Sequence, residues 1–271
     1  MNQHRFPDGE SLIRLDTPPG GREVILVCTL NEPDAKLLPL AFAASAARDL
    51  GARRVGLVAP YLAYLRQDRR FHPGEALTST AFARILSAHF DWLVTVDPHL
   101  HRIHALSEIY AIPASAVAAA PAVAEWIRAQ VQRPLLVGPD EESAQWVSAI
   151  ASAAHAPHVV LRKQRHGDRD VTISLPDLGP WREHTPVLAD DIISSGRTLS
   201  ETVRQLRAQN LPPPVCMGIH ALFAGDALEN LLAAGAGPVV TTNTIAHSSN
   251  QIDLSKLVTA QILRCLAKAQ T

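Results

Sequence analysis

The chain has no long uninterrupted apolar run, no paired cysteines and no excess of either charge, and each shortage removes a class of protein. Its most apolar stretches, near 39–47 and 114–124, are Ala-rich and broken by Pro or Ser. Neither approaches the ~18 uninterrupted apolar residues of a membrane span, so no membrane contact is expected. The three cysteines, Cys28, Cys216 and Cys265, are far apart and odd in number. They make neither a CxxC pair nor a disulfide framework, which fits a reducing compartment. Twenty-five Lys and Arg against 26 Asp and Glu leave a formal net charge of −1. No global basic field draws nucleic acid or an acidic surface, although a local anion site is compatible with this balance. The opening residues Met1-Asn2-Gln3-His4-Arg5 lack the apolar core of a signal peptide. A cytoplasmic protein is the expectation.

What is present points to α/β architecture. With 271 residues, 47% of them apolar, the chain is long enough for two domains of roughly 100–150 residues each. Short apolar runs at 23–28, 54–59, 92–97, 134–138, 157–162, 186–190, 215–220 and 238–242 read as strands. Several do not alternate with polar residues, as expected of parallel strands covered on both faces. Between them, 34–49, 77–89, 122–130, 141–153, 198–209, 225–234 and 254–268 have helical period. In the last, Leu254, Leu257, Val258, Ile262 and Leu266 recur at threes and fours. The small, proline-containing stretch 111–122 reads as the junction. It divides the chain into 1–118 and 119–271, with the C-terminal helix at 254–268 able to pack on the first part.

The most informative segment, 186–199, reads Pro-Val-Leu-Ala-Asp-Asp-Ile-Ile-Ser-Ser-Gly-Arg-Thr-Leu. An apolar strand runs into Asp190 and Asp191, then a hydroxyl-rich turn with Gly196, then a helix. Backbone N–H groups at such a helix start can hold a phosphate, and Ser194, Ser195 and Thr198 add hydroxyls. The two acids end the strand at its carboxyl edge, where open α/β sheets bind ligands. Acids beside a phosphate cradle suit a sugar diol, with or without a metal. A helix cap alone would explain a Ser there, but not two consecutive acids at a buried strand end.

This segment resembles the ribose-phosphate loop of phosphoribosyltransferase-type folds, and three further blocks narrow the resemblance. Phe6-Pro7-Asp8-Gly9-Glu10 opens the chain, Arg66-Gln67-Asp68-Arg69-Arg70-Phe71-His72-Pro73-Gly74-Glu75 follows the second strand, and Asp97-Pro98-His99 follows the third. In order and spacing the whole set is similar to the ribose-phosphate diphosphokinases, and closest to their short archaeal-type branch. The resemblance implies two phosphoribosyltransferase-like, Rossmann-like domains, each a largely parallel sheet flanked by helices. It implies diphosphoryl transfer from ATP to ribose 5-phosphate, Mg²⁺ as cofactor, and a homo-oligomer, dimer or higher, with no nucleic-acid or membrane partner. Phe6, Asp8, Glu10, Arg66, Gln67, Asp68 and His99 would bind ATP. A Phe face can stack on a base, acids accept from amino and hydroxyl groups, and Arg takes phosphate. Asp190, Asp191, Ser194, Ser195, Gly196, Arg197 and Thr198 would bind ribose 5-phosphate.

His99 and Asp140 would hold metal. From chemistry alone His99, His101 and His104 could be read as a zinc cluster, but their spacing is not a zinc pattern and no thiolate is near. The resemblance keeps His99 alone. Lys163 and Arg165 match the family's mobile catalytic loop, where cations stabilise charge on the transferring phosphoryl group. The sequence departs from the family at 141–143, where Glu141-Glu142-Ser143 replaces a glycine pair, and at Arg197, which replaces a common Gly and adds charge beside the 5-phosphate. Two rival readings are a phosphoribosyltransferase, which lacks the Arg-Gln-Asp and Asp-Pro-His blocks, and an inactive regulatory subunit.

Overall fold

The computed structural model describes residues 1–165, 171–174, 176 and 178–267, and the side chains of Glu142, 162–165 and 171–174 lie outside that description. The chain divides into two units, Met1–Val117 with Ser255–Thr271, and Ala118–Leu254.

In the first unit a four-stranded sheet runs β3 (Glu23–Val27), β4 (Arg54–Ala59), β5 (Trp92–Val96), β6 (Ala114–Val117), in that spatial order and parallel throughout. β4 is buried over Val55–Ala59 and β5 along its full length, which explains why both are continuous apolar runs in the sequence. Helix α1 (Asp34–Asp49) crosses from β3 to β4 and α2 (Thr78–His89) from β4 to β5. α1 presents Leu40, Ala43, Ala44 and Ala47 inward, spaced as one helical face. β1 (Asn2–Arg5) and β2 (Ser11–Arg14) form an antiparallel hairpin, with β2 lying on α1.

The C-terminal helix, Ser255–Ala267, belongs to this unit and not to the 119–271 block, because its half-buried stripe Leu257, Val258, Gln261, Ile262, Cys265 and Leu266 rests against β5 and β6. β6 itself lies inside the stretch read from sequence as a junction. Its Ala-Ser-Ala-Val composition carries little strand signal, yet the register Leu93↔Ala114 to Val96↔Val117 pairs it fully with β5.

The second unit holds a six-stranded sheet, parallel throughout. Its strands are β7 (Pro134–Gly138), β8 (His158–Val160), β11 (Thr185–Ile193), β12 (Val215–Ala221), β13 (Val239–Thr242) and β14 (Asn250–Ile252). The spatial order is β14-β13-β12-β11-β7-β8. Between β8 and β11, β9 (Arg162–Arg165) pairs antiparallel with β10 (Val171–Ser174). Helices α3 (Ala120–Gln130) and α4 (Ala144–Ala154) precede and follow β7, and α5 (Arg197–Ala208) and α6 (Ala227–Ala233) flank β12 in the chain. α5 buries Leu199, Thr202, Val203 and Leu206 on one face. That face joins a core with Leu135 and Val137 of β7, Leu188 of β11, Cys216 of β12 and Leu231 of α6. Burial pushes the Cys216 thiol up to about 12, so it is a packing residue and not a nucleophile.

One close approach fixes how β4 and β5 meet. Gly56 lies opposite Trp92, which is 1% exposed, and a Cβ at Gly56 would come within 2.0 Å of the indole. The ring covers the backbone where a side chain would otherwise stand. Gly56→Ala must displace that ring in a packed layer, at a cost of about 3 kcal/mol. Urea unfolding of the two proteins checks it, and an unchanged midpoint would show that the indole moves aside freely.

Candidate active site

In the second sheet the connections part at one place. The chain passes from β7 outward to β8, and from β11 in the opposite direction to β12 and β13. Open α/β sheets bind ligands in the crevice at the carboxyl ends of such a strand pair. Asp140 follows β7 on one side, and Asp190 and Asp191 lie near the end of β11 on the other. Burial first, then the charges of Asp191 and Asp140, push the Asp190 carboxyl well above the ordinary carboxylate value. Asp190 nevertheless keeps part of its surface open to solvent. Carboxylates this close make each other's ionisation costly unless a cation or hydrogen-bond donors enter.

The turn after β11 is built for close approach. Gly196 adopts φ 64°, a conformation that favours glycine. It stands at the N-cap of α5 without a side chain to satisfy the first-turn N–H groups. The N–H of Phe223 donates to the Ile193 carbonyl (2.9 Å), and that of Ala224 to Ser194 (3.1 Å). The loop after β12 thereby extends the ladder and holds the serine turn open. Ser194 and Thr198 are half-buried, while Ser195 and Arg197 are exposed. The structure thus brings Asp190, Asp191, Asp140 and the α5 start together in one unit.

The 139–144 segment shows how the missing glycine pair is accommodated. Asp140 accepts from the Ser143 N–H (3.2 Å), and the Ser143 hydroxyl donates back to the Asp140 carbonyl (2.6 Å). This caps a 3₁₀ turn over Glu141–Ser143, so α4 begins at Ala144 and not at 141. Gly138 is needed there, since a Cβ would lie 2.5 Å from the Ser143 hydroxyl.

In the first unit the loops at the carboxyl ends of β3, β4 and β5 each hold a non-glycine residue at positive φ, namely Glu32 (51°), Tyr64 (63°) and Asp97 (30°). Such conformations persist where surrounding contacts over-determine them, and they cluster at functional sites. After β4, Arg66 is exposed, while the side chain of Gln67 accepts at Oε1 from the Thr78 hydroxyl (2.7 Å) at the start of α2. Asp68 accepts from the backbone N–H of Arg102 (3.0 Å) and from its guanidinium (2.9 Å). Burial alone would raise the Asp68 carboxyl, but these Arg102 contacts outweigh it and hold the group below its ordinary value. The remainder of the block closes on itself, with Arg70 donating to the Glu75 carbonyl and Glu75 accepting from the Phe71 N–H. After β5, the Nε2 atoms of His99 and His101 are 2.7 Å apart with the rings edge to face. The backbone N–H of His104 donates to Glu108 and its ring is exposed.

Phe6, Asp8 and Glu10 sit at the tip of the β1–β2 hairpin. The Phe6 N–H donates to the Glu10 carbonyl (2.8 Å), the Glu10 N–H to Asp8 Oδ1 (3.1 Å), and Phe6 is 39% exposed. Among the described residues this tip makes no hydrogen bond or ion pair with Arg66, Gln67 or Asp68, so the first unit does not by itself join the two halves expected of an ATP site. Lys163 and Arg165 lie on β9 with their side chains outside the described residues.

The donor chemistry of the crevice in the second unit fits a hard divalent cation. The carboxylates of Asp140, Asp190 and Asp191 crowd one another, yet among the described residues no three His, Cys, Asp or Glu side chains converge to enclose an ion. Mg²⁺ typically takes one or two carboxylates and draws its other oxygens from water and substrate phosphates. The imidazole of His99 is a weaker match, since Mg²⁺ prefers oxygen.

These features define a protein of the phosphoribosyltransferase type: parallel sheets, strand connections that part in opposite directions, and paired acids leading into a helix that starts on glycine. Comparison with known proteins narrows the class. The model for the N-terminal domain of ribose phosphate pyrophosphokinase matches residues 1–89, and that of the phosphoribosyl transferase domain matches 105–250. The ribose-phosphate pyrophosphokinase of Methanopyrus kandleri is 33% identical over 94% of this chain and 87% of its own. That of Saccharolobus solfataricus is 34% identical over 91% and 85%. The phosphoribosylpyrophosphate synthetase of Mycobacterium smegmatis shares the fold, with TM-score 0.84 at 20% identity over 98% of this chain and 90% of that one. The chain belongs to the ribose-phosphate pyrophosphokinase family.

Crowded acids have a measurable cost before any ligand arrives. Asp190→Asn removes one of the mutually repelling charges and keeps the shape. The ligand-free variant is expected to melt about 2–4 °C above the parent, the shift that ~1 kcal/mol gives in a chain of this size. Thermal melts without added cation test it, and a lower melting point would show that Asp190 is a stabilising charge.

Proposed function

We propose that this chain is a ribose-phosphate diphosphokinase that makes phosphoribosyl pyrophosphate and AMP from ATP and ribose 5-phosphate, for nucleotide biosynthesis. The observation that carries the reading is the crevice of Asp140, Asp190 and Asp191 beside the uncapped start of α5, in a chain of this family. A phosphoribosyltransferase reading leaves the match over residues 1–89 without a purpose.

In the reaction the C1 hydroxyl oxygen attacks the β-phosphorus of ATP in line. The bond from that phosphorus to the oxygen bridging it to the α-phosphate breaks, and AMP leaves with that oxygen. Asp190 and Asp191 accept from the ribose hydroxyls. The first-turn N–H groups of α5, with Ser194, Ser195, Thr198 and the exposed cation Arg197, take the 5-phosphate. On the nucleotide side Arg66 takes phosphate, Phe6 stacks on adenine, and Gln67, Asp8 and Glu10 supply polar contacts. Lys163 and Arg165 aim positive charge at the transferring group and exclude water when their loop closes.

Asp140 on the sugar side and His99 on the ATP side would hold Mg²⁺, which neutralises phosphate charge and orients the oxygens when bound. Holding two substrates in line supplies much of the rate enhancement in such transfers. No helix among the described residues is long and apolar enough to cross a membrane.

The reading includes a homo-oligomer whose ATP site is shared between copies. Phe6, Asp8 and Glu10 stand on an exposed hairpin tip, and a neighbouring copy would bring them to Arg66 and Gln67. Symmetric homo-oligomers are the commonest soluble assemblies.

The central test is AMP release from ATP. It is expected to require both ribose 5-phosphate and Mg²⁺, and a well-folded protein that fails to produce AMP would be a regulatory subunit. The shared site is tested by mixing. An Asp8→Ala, Glu10→Ala double variant and an Arg66→Ala variant should each be nearly inactive, and should regain part of the activity when their subunits exchange. No recovery despite proven exchange would place the whole ATP site within one copy.

A further inference from the structure

The three residues Arg66, Gln67 and Asp68 sit side by side in sequence but do not share one environment. Arg66 is open to solvent. The side chain of Asp68 is 3% exposed, and both its oxygens are taken: Oδ2 accepts from the backbone N–H of Arg102, and Oδ1 from that residue's Nη1. A carboxylate so enclosed, with both oxygens in charge-assisted bonds, has no open face for a substrate.

Its partner lies on the next loop. Arg102 is one residue past His101 and three past His99, and the two histidine rings stand Nε2 to Nε2. The loops leave adjacent strands of one sheet, β4 and β5, so a single tether between them sets their separation. The second loop also opens on Asp97 at positive φ, a conformation its surroundings must hold in place.

We propose that Asp68 is a positioning residue and not an ATP ligand: through Arg102 it clamps the histidine loop (97–104) to the arginine segment (66–75), and so fixes where His99 and Arg66 face the nucleotide. The proposal rests on the reading of this end of the sheet as the ATP side.

A residue that acts only through another loses its effect once that other is gone. Steady-state kinetics are compared for Asp68→Ala, Arg102→Ala and the double variant, with Asp68→Asn as the conservative control. Each single variant is expected to raise the KM for ATP on the order of tenfold, with the KM for ribose 5-phosphate unchanged. The double variant should lose no more than Asp68→Ala alone, since Arg102→Ala spares the bond from the Arg102 backbone N–H to Oδ2. Asp68→Asn keeps an acceptor for the Arg102 N–H and should recover most of the loss. Because removing the Arg102 side chain leaves a buried carboxylate with only the backbone N–H bond, melting curves accompany each variant, and the double variant serves if that single one unfolds.

Multiplicative losses in the double variant would overturn the proposal by making Asp68 a direct ligand. A fall in melting temperature with both KM values unchanged would overturn it by making the pair purely structural. Ring signals of His99 and His101, followed by NMR without substrate, give a readout independent of activity and should move in Asp68→Ala. If they move while the parent makes no AMP, the clamp stands and the assigned reaction falls. If the parent is active and the signals and KM values stay put, the clamp falls alone.

Discussion

The second unit depends on the parting of chain direction between β7 and β11. Two neighbouring parallel strands whose onward connections diverge leave a crevice that no crossover can fill. Whatever side chains follow those strands face each other across it. Here they are acids on both sides, which repel, and a helix start that carries partial positive charge. The arrangement is unfavourable for the empty protein and complementary to a ligand that brings both an anionic group and a cation. The apolar layer of Leu135, Val137, Leu188, Leu199, Val203 and Leu206 beneath it absorbs that cost. Stability and binding are thus supplied by different layers of one sheet.

The first unit solves a different problem, that of making loops rigid. The segments after β4 and β5 carry their chemistry on irregular backbone, and each is tied by side-chain bonds. Gln67 is held to Thr78, Asp68 to Arg102, Arg70 and Phe71 to Glu75, and His104 to Glu108. A motif that is continuous in sequence is therefore divided in labour, with some members facing outward and others serving as struts. Arg66 gains its setting from neighbours whose own side chains point elsewhere.

This division marks what could be read from the sequence. The Asp190–Thr198 segment was legible because strand, acids, turn and helix are contiguous, and their chemistry is local. The strand extends to Ile193 and not 190, since the acids interrupt its apolar signal without interrupting its pairing. The pairing of Asp68 with Arg102 was not legible, because the partner lies 34 residues away and only the fold brings them together. β6 was hidden by its small residues, and the hairpin at the amino terminus by a turn whose residues read as chemistry. The stretch carrying Lys163 reads as a loop after a strand, whereas its backbone forms β9 paired with β10. The three residues after Asp140 read as helix, and the hydrogen bond from the Ser143 N–H to that acid makes them a 3₁₀ turn instead.

The C-terminal helix of the first unit follows the whole of the second, so the second is in effect an insertion between the parts of the first. A ribosome making this chain from its amino terminus delivers the sheet of the first unit early and the helix that covers it only after the whole second unit. Until then the faces of β5 and β6 that this helix covers stay bare, while the inserted unit has every strand it needs. The usual order, in which the amino-terminal domain finishes first, is therefore reversed. A released chain cut just before Ser255 would carry every strand of the second sheet and a first sheet lacking its last cover, with sticky apolar surface on the older half.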